Sequence, residues 1–322
     1  MNRSQSVTPN AFKVLNAGML TLIQDLGRFG QANLGLTTSG PADLRAFQWA
    51  NRLLDNSENS AVLEVTFGGL KLRSNISTTI CITGAKMSLT VNGQSRDMWT
   101  TCKVSPDDVI ELGYAEQGTR AYFAVKGGFI IDQAFGSCAT TVREGIGGID
   151  GNGLVKGDCL PAFASEPPLY SHYLAIHERP NYTCEVRVRL VTGYQHEAFC
   201  NVELRRFFSS WYTVSTQWDR MGYRLEGPVI KVESKPMLSE GIALGAVQIP
   251  PDGQPIVLMQ DRQTIGGYPK VGSVFSLDLA KLAQCAQGAR VQFEAISIEQ
   301  AHNELHLDKY KYLNTRVVNS PW

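Results

Sequence analysis

Met87–Trp99 reads MSLTVNGQSRDMW. Asn92-Gly93 stands between alternating flanks, and a two-residue hairpin turn needs the positive backbone angles that Asn and Gly adopt most readily. The stretch therefore predicts a β-hairpin. Similar runs of Val, Ile, Thr and aromatic residues, separated by glycine turns, recur along the whole chain. In the first half they are FKVLNAG, AVLEVTFGG, TTICITGA, DVIELGY and RAYFAVKGG. In the second they are EVRVRLVTG, WYTVST, YRLEGPVIKV, ALGAVQIP, PIVLMQ and RVQFEAIS. This pattern favours a mainly β fold of sheets or barrels over helical layers.

Helices are few. PADLRAFQWANRLLD places Leu44, Phe47, Ala50 and Leu54 along one stripe, with Pro41 suited to the first helical position and Ser39 or Gly40 before it. HEAFCNVELRRFF, SLDLAKLAQ and IEQAHNELHLDKYKYL are the other helical segments.

A chain of 322 residues is longer than one core usually grows, so two domains are expected. The proline-rich LPAFASEPPLYSHY, with ERPN soon after, marks the linker, giving an N-terminal domain over 1–168 and a C-terminal domain with a helical tail over 169–322. The halves share phrases. QDLGRFGQANLG (Gln24–Gly35) is a loose copy of QDRQTIGGYPKVG (Gln260–Gly272), and SGPAD (Ser39–Asp43) matches the Ser-to-Asp spacing of STQWD (Ser215–Asp219). Leu63-Glu64 has a counterpart in Leu225-Glu226, and Thr83-Gly84-Ala85 in Thr192-Gly193-Tyr194. The copies come in rotated order, as a duplicated and circularly shifted barrel would leave them.

Thirty basic residues balance thirty acidic ones, and no Lys/Arg run offers the footprint that a phosphate backbone requires, which argues against nucleic acid as a partner. The seven cysteines form no CxxC pair, and His172 and His177 are not spaced for one helical face, so reduced thiols and no metal site are expected. The N-terminal residues have no signal-peptide apolar stretch and nothing later approaches a membrane span, so a cytoplasmic protein is expected.

Nucleotide fingerprints are absent. There is no GxxxxGK[ST], and GIGGIDGNG misses GxGxxG because Asp150 takes the third glycine's place, leaving a surface turn as the better reading. In Ser215–Pro228, a strand would put Arg220, Arg224 and Glu226 on one face and Met221, Tyr223 and Leu225 on the other, with the acid Asp219 next to Arg220 at its start. Arg220 and Arg224 can then fork a carboxylate or phosphate, or pair with acids in an internal ladder. In QDRQTIGGYPKVG, the paired Gly266-Gly267 allow close approach of a ligand to the backbone; Gln263 and Thr264 can read an amide, and Arg262 and Lys270 can balance negative charge. No Ser-His-acid set emerges, so polarisation by Arg, Lys and amide groups is the expected chemistry.

GMLTLIQDLGRFG, TSGPAD, LEVTFGG, ITGA, VKGGF, GSCATT, DRMGYRLEGP, SEG at 239–241 and GAVQIPPDGQPIVLMQDRQTIGGYPKVG together resemble the family of the 5-oxoprolinase C subunits. The same family is called KipA, allophanate hydrolase subunit 2, or biotin-dependent carboxyltransferase. The resemblance runs from about residue 12 to 301. It implies two cyclophilin-like β-barrel domains and a hetero-oligomer with two further 5-oxoprolinase components, the KipI-like B subunit and the A subunit. The three components would together hydrolyse 5-oxo-L-proline to L-glutamate with ATP and Mg, the B–C pair phosphorylating the lactam and this chain being inactive alone. A small anionic amide would be the substrate. Two alternatives stay open: a carboxyltransferase component of the urea carboxylase type, and a KipA-like antagonist of a histidine-kinase inhibitor. With no MKM-type attachment sequence, no covalently bound biotin is expected, and a carrier would be another protein.

The resemblance also frames the candidate residues. Asp219, Arg220, Arg224, Asp261 and Lys270 are the catalytic candidates. Arg220 or Arg224 would bind the carboxylate, Lys270 or Arg262 would face phosphate oxygens, and Asp219 or Asp261 would orient a metal-bound nucleotide or the lactam N–H. The substrate-binding candidates are Asp25, Arg28, Ser39 and Asp43 in the first half, and Gln248, Arg262, Gln263, Thr264, Gly266, Gly267 and Tyr268 in the second.

Overall fold

The computed structural model describes residues 6–232 and 238–322. Asn92 and Gly93 hold φ angles of 52° and 75°, and Val91 pairs with Gln94 across them, so the expected hairpin forms. It extends strand Thr78–Val91, which pairs antiparallel with Val109–Val125. Gly84 lies where the register of this pair shifts. Its φ is 90° and an added Cβ would fall 2.4 Å from the Arg120 carbonyl oxygen, so the bend accepts only glycine.

The chain divides into two compact units. The first takes in residues up to Phe29, Ser39–Asn181 and Arg316–Trp322; the second takes in Gly30–Thr38 and Tyr182–Thr315. The division thus falls after Asn181 rather than at 168/169. Beyond the prolines, Ser171–Tyr173 pairs with Val318–Ser320 and stays with the first unit, because strand pairing outweighs the local interruption.

A nine-stranded sheet forms the first unit. Along its main path lie Leu20–Gln24, Val62–Thr66, Val109–Val125, Leu70–Ser74, Val7–Ala17 and Cys159–Phe163, with Thr78–Val91 joined to Val109–Val125 at the side. The sheet curls into a half-barrel around a core in which the rings of Phe12, Phe123 and Phe129 lie 5.9 to 6.2 Å apart. Helix α1, Leu44–Leu53, carries the expected stripe in part: Phe47 and Ala50 are fully buried and Leu54 is buried as the C-cap, whereas Leu44 at the first turn is exposed. Its start differs from the sequence expectation. The Asp43 carboxylate accepts a hydrogen bond from Ala46 N at 3.0 Å and is the N-cap, so Pro41 lies ahead of the helix instead of at its first position.

In the second unit seven strands close a barrel, in the order Glu185–Thr192, Lys270–Val274, Ala246–Gln248, Ile256–Leu258, Gly222–Glu226, Trp211–Trp218 and Arg290–Ala295. Closure is a parallel pairing from Glu185↔Arg290 to Leu190↔Ala295. Period-two alternation sends Val188, Leu190, Tyr223, Leu225, Val247, Val257, Val291 and Phe293 inward, each fully buried. Helix α2, Asn201–Ser209, closes one end by stacking Phe207 on Phe293, with centroids 4.5 Å apart. Helices α3, Ser276–Ala283, and α4, Ile298–Asn314, complete the four helical segments read from the sequence. With 40% strand and 19% helix the fold is mainly β, as expected. Among the described residues no helix is long and apolar enough to cross a membrane.

Candidate functional site

Inward placement of Tyr223, Leu225, Val247 and Val257 turns their strand neighbours to the outer wall of the barrel. There Gly222, Arg224, Gln248, Ile256 and Leu258 line a cleft of about 470 Å³. Thr216, Gln217, Trp218, Asp219 and Met221 form another side, and Gln263 and Tyr268 complete it from the QDRQTIGGYPKVG loop. Five of the candidates therefore converge: Asp219, Arg224, Gln248, Gln263 and Tyr268.

Gln248 is the most informative of them. It is 1% exposed, and its side-chain Nε2 has no hydrogen-bond partner. Leaving a buried amide donor unmade costs on the order of 1–3 kcal/mol, a penalty that a ligand acceptor in the cleft would remove. Gly266 helps to bury it. A Cβ at Gly266 would lie 2.6 Å from Ile242 Cδ1 and 3.1 Å from Gln248 Nε2, so the glycine here makes room for the protein's own side chains. The neighbouring Gly267 is half-buried, and the Thr264 carbonyl accepts from Ile242 N at 2.9 Å.

The two arginines do not form a fork. Arg220 meets Asp261 in a two-bond pair, Nε to Oδ2 at 2.8 Å and Nη2 to Oδ1 at 3.0 Å, with both side chains under a tenth exposed. Arg224 pairs with Asp252 near the surface. The reason is local. Asp219 Oδ1 accepts from Met221 N at 2.7 Å and Gly222 N at 3.1 Å, and this tight turn breaks the strand alternation before it reaches Arg220.

Lys270 forms an ion pair with Glu240, which also accepts from Tyr194 Oη and Gln195 Nε2. The hydrogen bond from Lys270, followed by that from Tyr194, holds the Glu240 carboxyl below the usual range. Arg262 donates from Nε to the Ile242 carbonyl at 3.1 Å, and burial lowers its pKa from the ordinary arginine value against the opposing charge of Asp261.

The first-half candidates build a buried clamp in the first unit. Asp25 accepts from Gly27 N at 2.9 Å, Ser137 Oγ at 2.5 Å and Cys138 N at 2.8 Å. Arg28 donates to Thr141 Oγ1 at 2.8 Å and to the Ala139 carbonyl at 2.6 Å. Ser39 Oγ lies 3.2 Å from the Thr140 carbonyl, and Asp43 caps α1. Asp25, Arg28 and Ser39 together fasten segment 137–141. The repeated Leu-Glu phrases also diverge: Glu64 is buried and accepts from Tyr122 Oη and Ala42 N, both at 2.8 Å, whereas Glu226 is exposed.

Trp218, Thr216 and Gln217 were not singled out by sequence reasoning, although all three sit inside or beside the quoted STQWD. Nor were Asp252 and Glu240, the partners of Arg224 and Lys270, although Glu240 lies in the SEG motif. Among the described residues no three His, Cys, Asp or Glu side chains gather as a metal site would require.

The model of the carboxyltransferase domain, subdomain A and B, matches residues 34–295. The chain is 35% identical over 304 residues to the 5-oxoprolinase C subunit of Haemophilus influenzae, covering 92% of this chain and 97% of that protein. It is 34% identical over 292 residues to the 5-oxoprolinase C subunit of Escherichia coli, covering 90% and 92%. Among solved structures, the K. lactis urea amidolyase superposes with a TM-score of 0.89 at 26% identity, covering 97% of this chain and 20% of that one. The chain belongs to the carboxyltransferase domain, subdomain A and B, family, and its full-length relatives there include the 5-oxoprolinase C subunits.

Proposed function

We propose that this protein is the C subunit of an ATP-dependent 5-oxoprolinase, acting with the A and B subunits to hydrolyse 5-oxo-L-proline to L-glutamate. The observation that carries this reading is the 35% identity, over 97% of its length, to the Haemophilus influenzae 5-oxoprolinase C subunit. The cleft adds chemical sense to it. 5-Oxoproline offers one carbonyl acceptor and one N–H donor in its lactam, and one carboxylate beside it. Gln248 Nε2 would donate to the carbonyl oxygen, Asp219 would accept from the N–H, and Arg224 would exchange Asp252 for the substrate carboxylate. Phosphorylating the lactam oxygen would make the ring carbon electrophilic enough for water to add. The tetrahedral adduct would open by breaking the C–N bond, the nitrogen leaving as the amine, and a second water would hydrolyse the resulting acyl phosphate to glutamate and inorganic phosphate.

ATP with Mg enters this reading as the co-substrate of the assembled complex. Among the described residues lining the cleft Arg224 is the one cation, and it is already paired with Asp252, so the cleft does not fit a magnesium triphosphate. The nucleotide is accordingly not placed in this cleft.

The test is reconstitution. Purified chain, the A and B subunits, ATP, Mg and 5-oxoproline should yield glutamate, and omission of any one protein should stop it. No glutamate from the complete mixture, with an authentic enzyme working alongside, would overturn the reading. The likeness to urea amidolyase supports a carboxyltransferase component as the second reading, with biotin on another chain. Avidin separates the two, since it should block only the biotin-dependent route.

A further inference from the structure

The first unit contains a cavity of about 790 Å³ that shares no residue with the cleft described above. Its polar floor is Thr101 and Ser171, buried residues whose hydroxyls lie 3.3 Å apart. Three cationic side chains, Arg96, Lys103 and Arg179, line it alongside one acidic side chain, Asp97. Arg96 donates to Ser95 O and Gln94 Oε1, both at 3.1 Å, and Arg179 donates from Nε to the Leu174 carbonyl at 2.8 Å. Among the described residues none of the three forms an ion pair with a carboxylate within 4.0 Å. Asp97 acts on Arg179 only through its field, which is weaker than the burial that lowers the arginine's pKa. A half-buried guanidinium with so little compensation is an unfavourable charge that an entering anion would offset.

The apolar side of the cavity is equally specific. Trp322 is fixed by donation from Nε1 to the Pro168 carbonyl at 2.6 Å, and the Lys103 ammonium lies 4.1 Å from its ring centroid. Tyr173 and Ile176 stand beside it, with Ile176 81% exposed and Trp322 42% exposed. Apolar surface held in water at the mouth of a cationic cavity is covered when a ligand with a flat, apolar body seats there.

We propose that this cavity binds a small organic oxyanion, its charged head between Arg96, Lys103 and Arg179 and its planar body against Tyr173, Ile176 and Trp322. The cavity is a second ligand site, independent of the reaction assigned to the other unit. Carboxylates and phosphate esters share this chemistry, and two probes with the same ring distinguish them.

Isothermal titration calorimetry of the full chain with phenyl phosphate and with benzoate tests the proposal, with benzylamine as the cationic counterpart. At least one aryl oxyanion should bind with a Kd at or below about 1 mM, the tighter of the two naming the head group, while benzylamine gives no heat of binding. Arg179→Gln and Lys103→Gln should each raise that Kd about tenfold or more. Lys103 is exposed, so its variant keeps the test decisive if Arg179→Gln fails to fold. Any of three results overturns the site: no aryl oxyanion binding at about 10-fold higher concentration, equal binding to the Lys103 variant, or loss of binding in Gln248→Leu instead, which would assign the ligand to the cleft.

Discussion

Arg220 and Asp261 lie 41 residues apart in the chain and meet through two hydrogen bonds of 2.8 and 3.0 Å beneath the barrel surface. Removing one member of such a buried pair leaves the other charged and unpaired, at a cost of about 3–5 kcal/mol. Arg220→Ala should therefore lower the unfolding free energy of the second unit by that much, read from urea denaturation. The double variant Arg220→Ala/Asp261→Ala should lose less than the sum of the singles. Additive losses would show that the two side chains do not depend on each other. Loss of catalysis in Arg220→Ala alone is then a stability effect before it is a chemical one.

Gln248→Leu separates stability from function in the opposite way. Replacing a buried, unpartnered amide by an apolar side chain of similar size removes a desolvation penalty, so stability should hold or rise by about 1 kcal/mol. Glutamate formation by the reconstituted complex should fall at least tenfold, mainly through a higher KM for 5-oxoproline. Unchanged kinetics would exclude Gln248 from substrate binding.

Gly84→Ala tests the bend in the first unit. The substitution forces an L-residue into φ of 90° and sets its Cβ 2.4 Å from the Arg120 carbonyl oxygen, a backbone atom that cannot swing aside. A loss of about 2–4 kcal/mol is expected, read as a lower melting temperature of the first unit with the second unit unaffected. Melting like the parent protein would mean that the bend tolerates a side chain.

Acid should loosen the second unit through Asp278. Burial pushes this carboxyl up, but hydrogen bonds from Arg189 and Lys281 together outweigh it and hold the pKa below the ordinary aspartate value. Because the folded-state pKa is the lower one, the contribution is complete above the unfolded value of about 3.9 and is lost as pH falls through the folded value. Stability measured from about pH 6 down to about pH 2 should drop in the lower part of that range. Asp278→Asn should be less stable at the upper end and show a shallower fall; an identical pH profile would remove Asp278 from the account.

Much of the fold was readable because its causes are local. Asn92-Gly93 can turn a hairpin whatever surrounds it, and Val186, Val188 and Leu190 alternate with arginines wherever the strand is placed. Errors arose where a longer-range partner decided the outcome. Residues 270–274, half of which the sequence leaves at the end of a glycine loop, form a barrel strand by pairing with both Glu185–Thr192 and Ala246–Gln248. The 168/169 boundary shifts for the same reason, since Ser171–Tyr173 pairs with Val318–Ser320, while the division after Asn181 falls at the end of ERPN. The α1 cap is by contrast a local matter, the Asp43 carboxylate reaching Ala46 N three residues on.

For the site, the order of amino acids was enough to supply the residue types: arginines, acids, amides and glycines in DRMGYRLEGP and QDRQTIGGYPKVG, and the family to which those motifs point. It took the folded chain to set Arg220 against Asp261 and Arg224 against Asp252, and to bury Gln248 with an unused donor. Spacing along a strand sets the face on which a side chain emerges. The partner it meets there, and the water it loses, depend on how distant strands close around it.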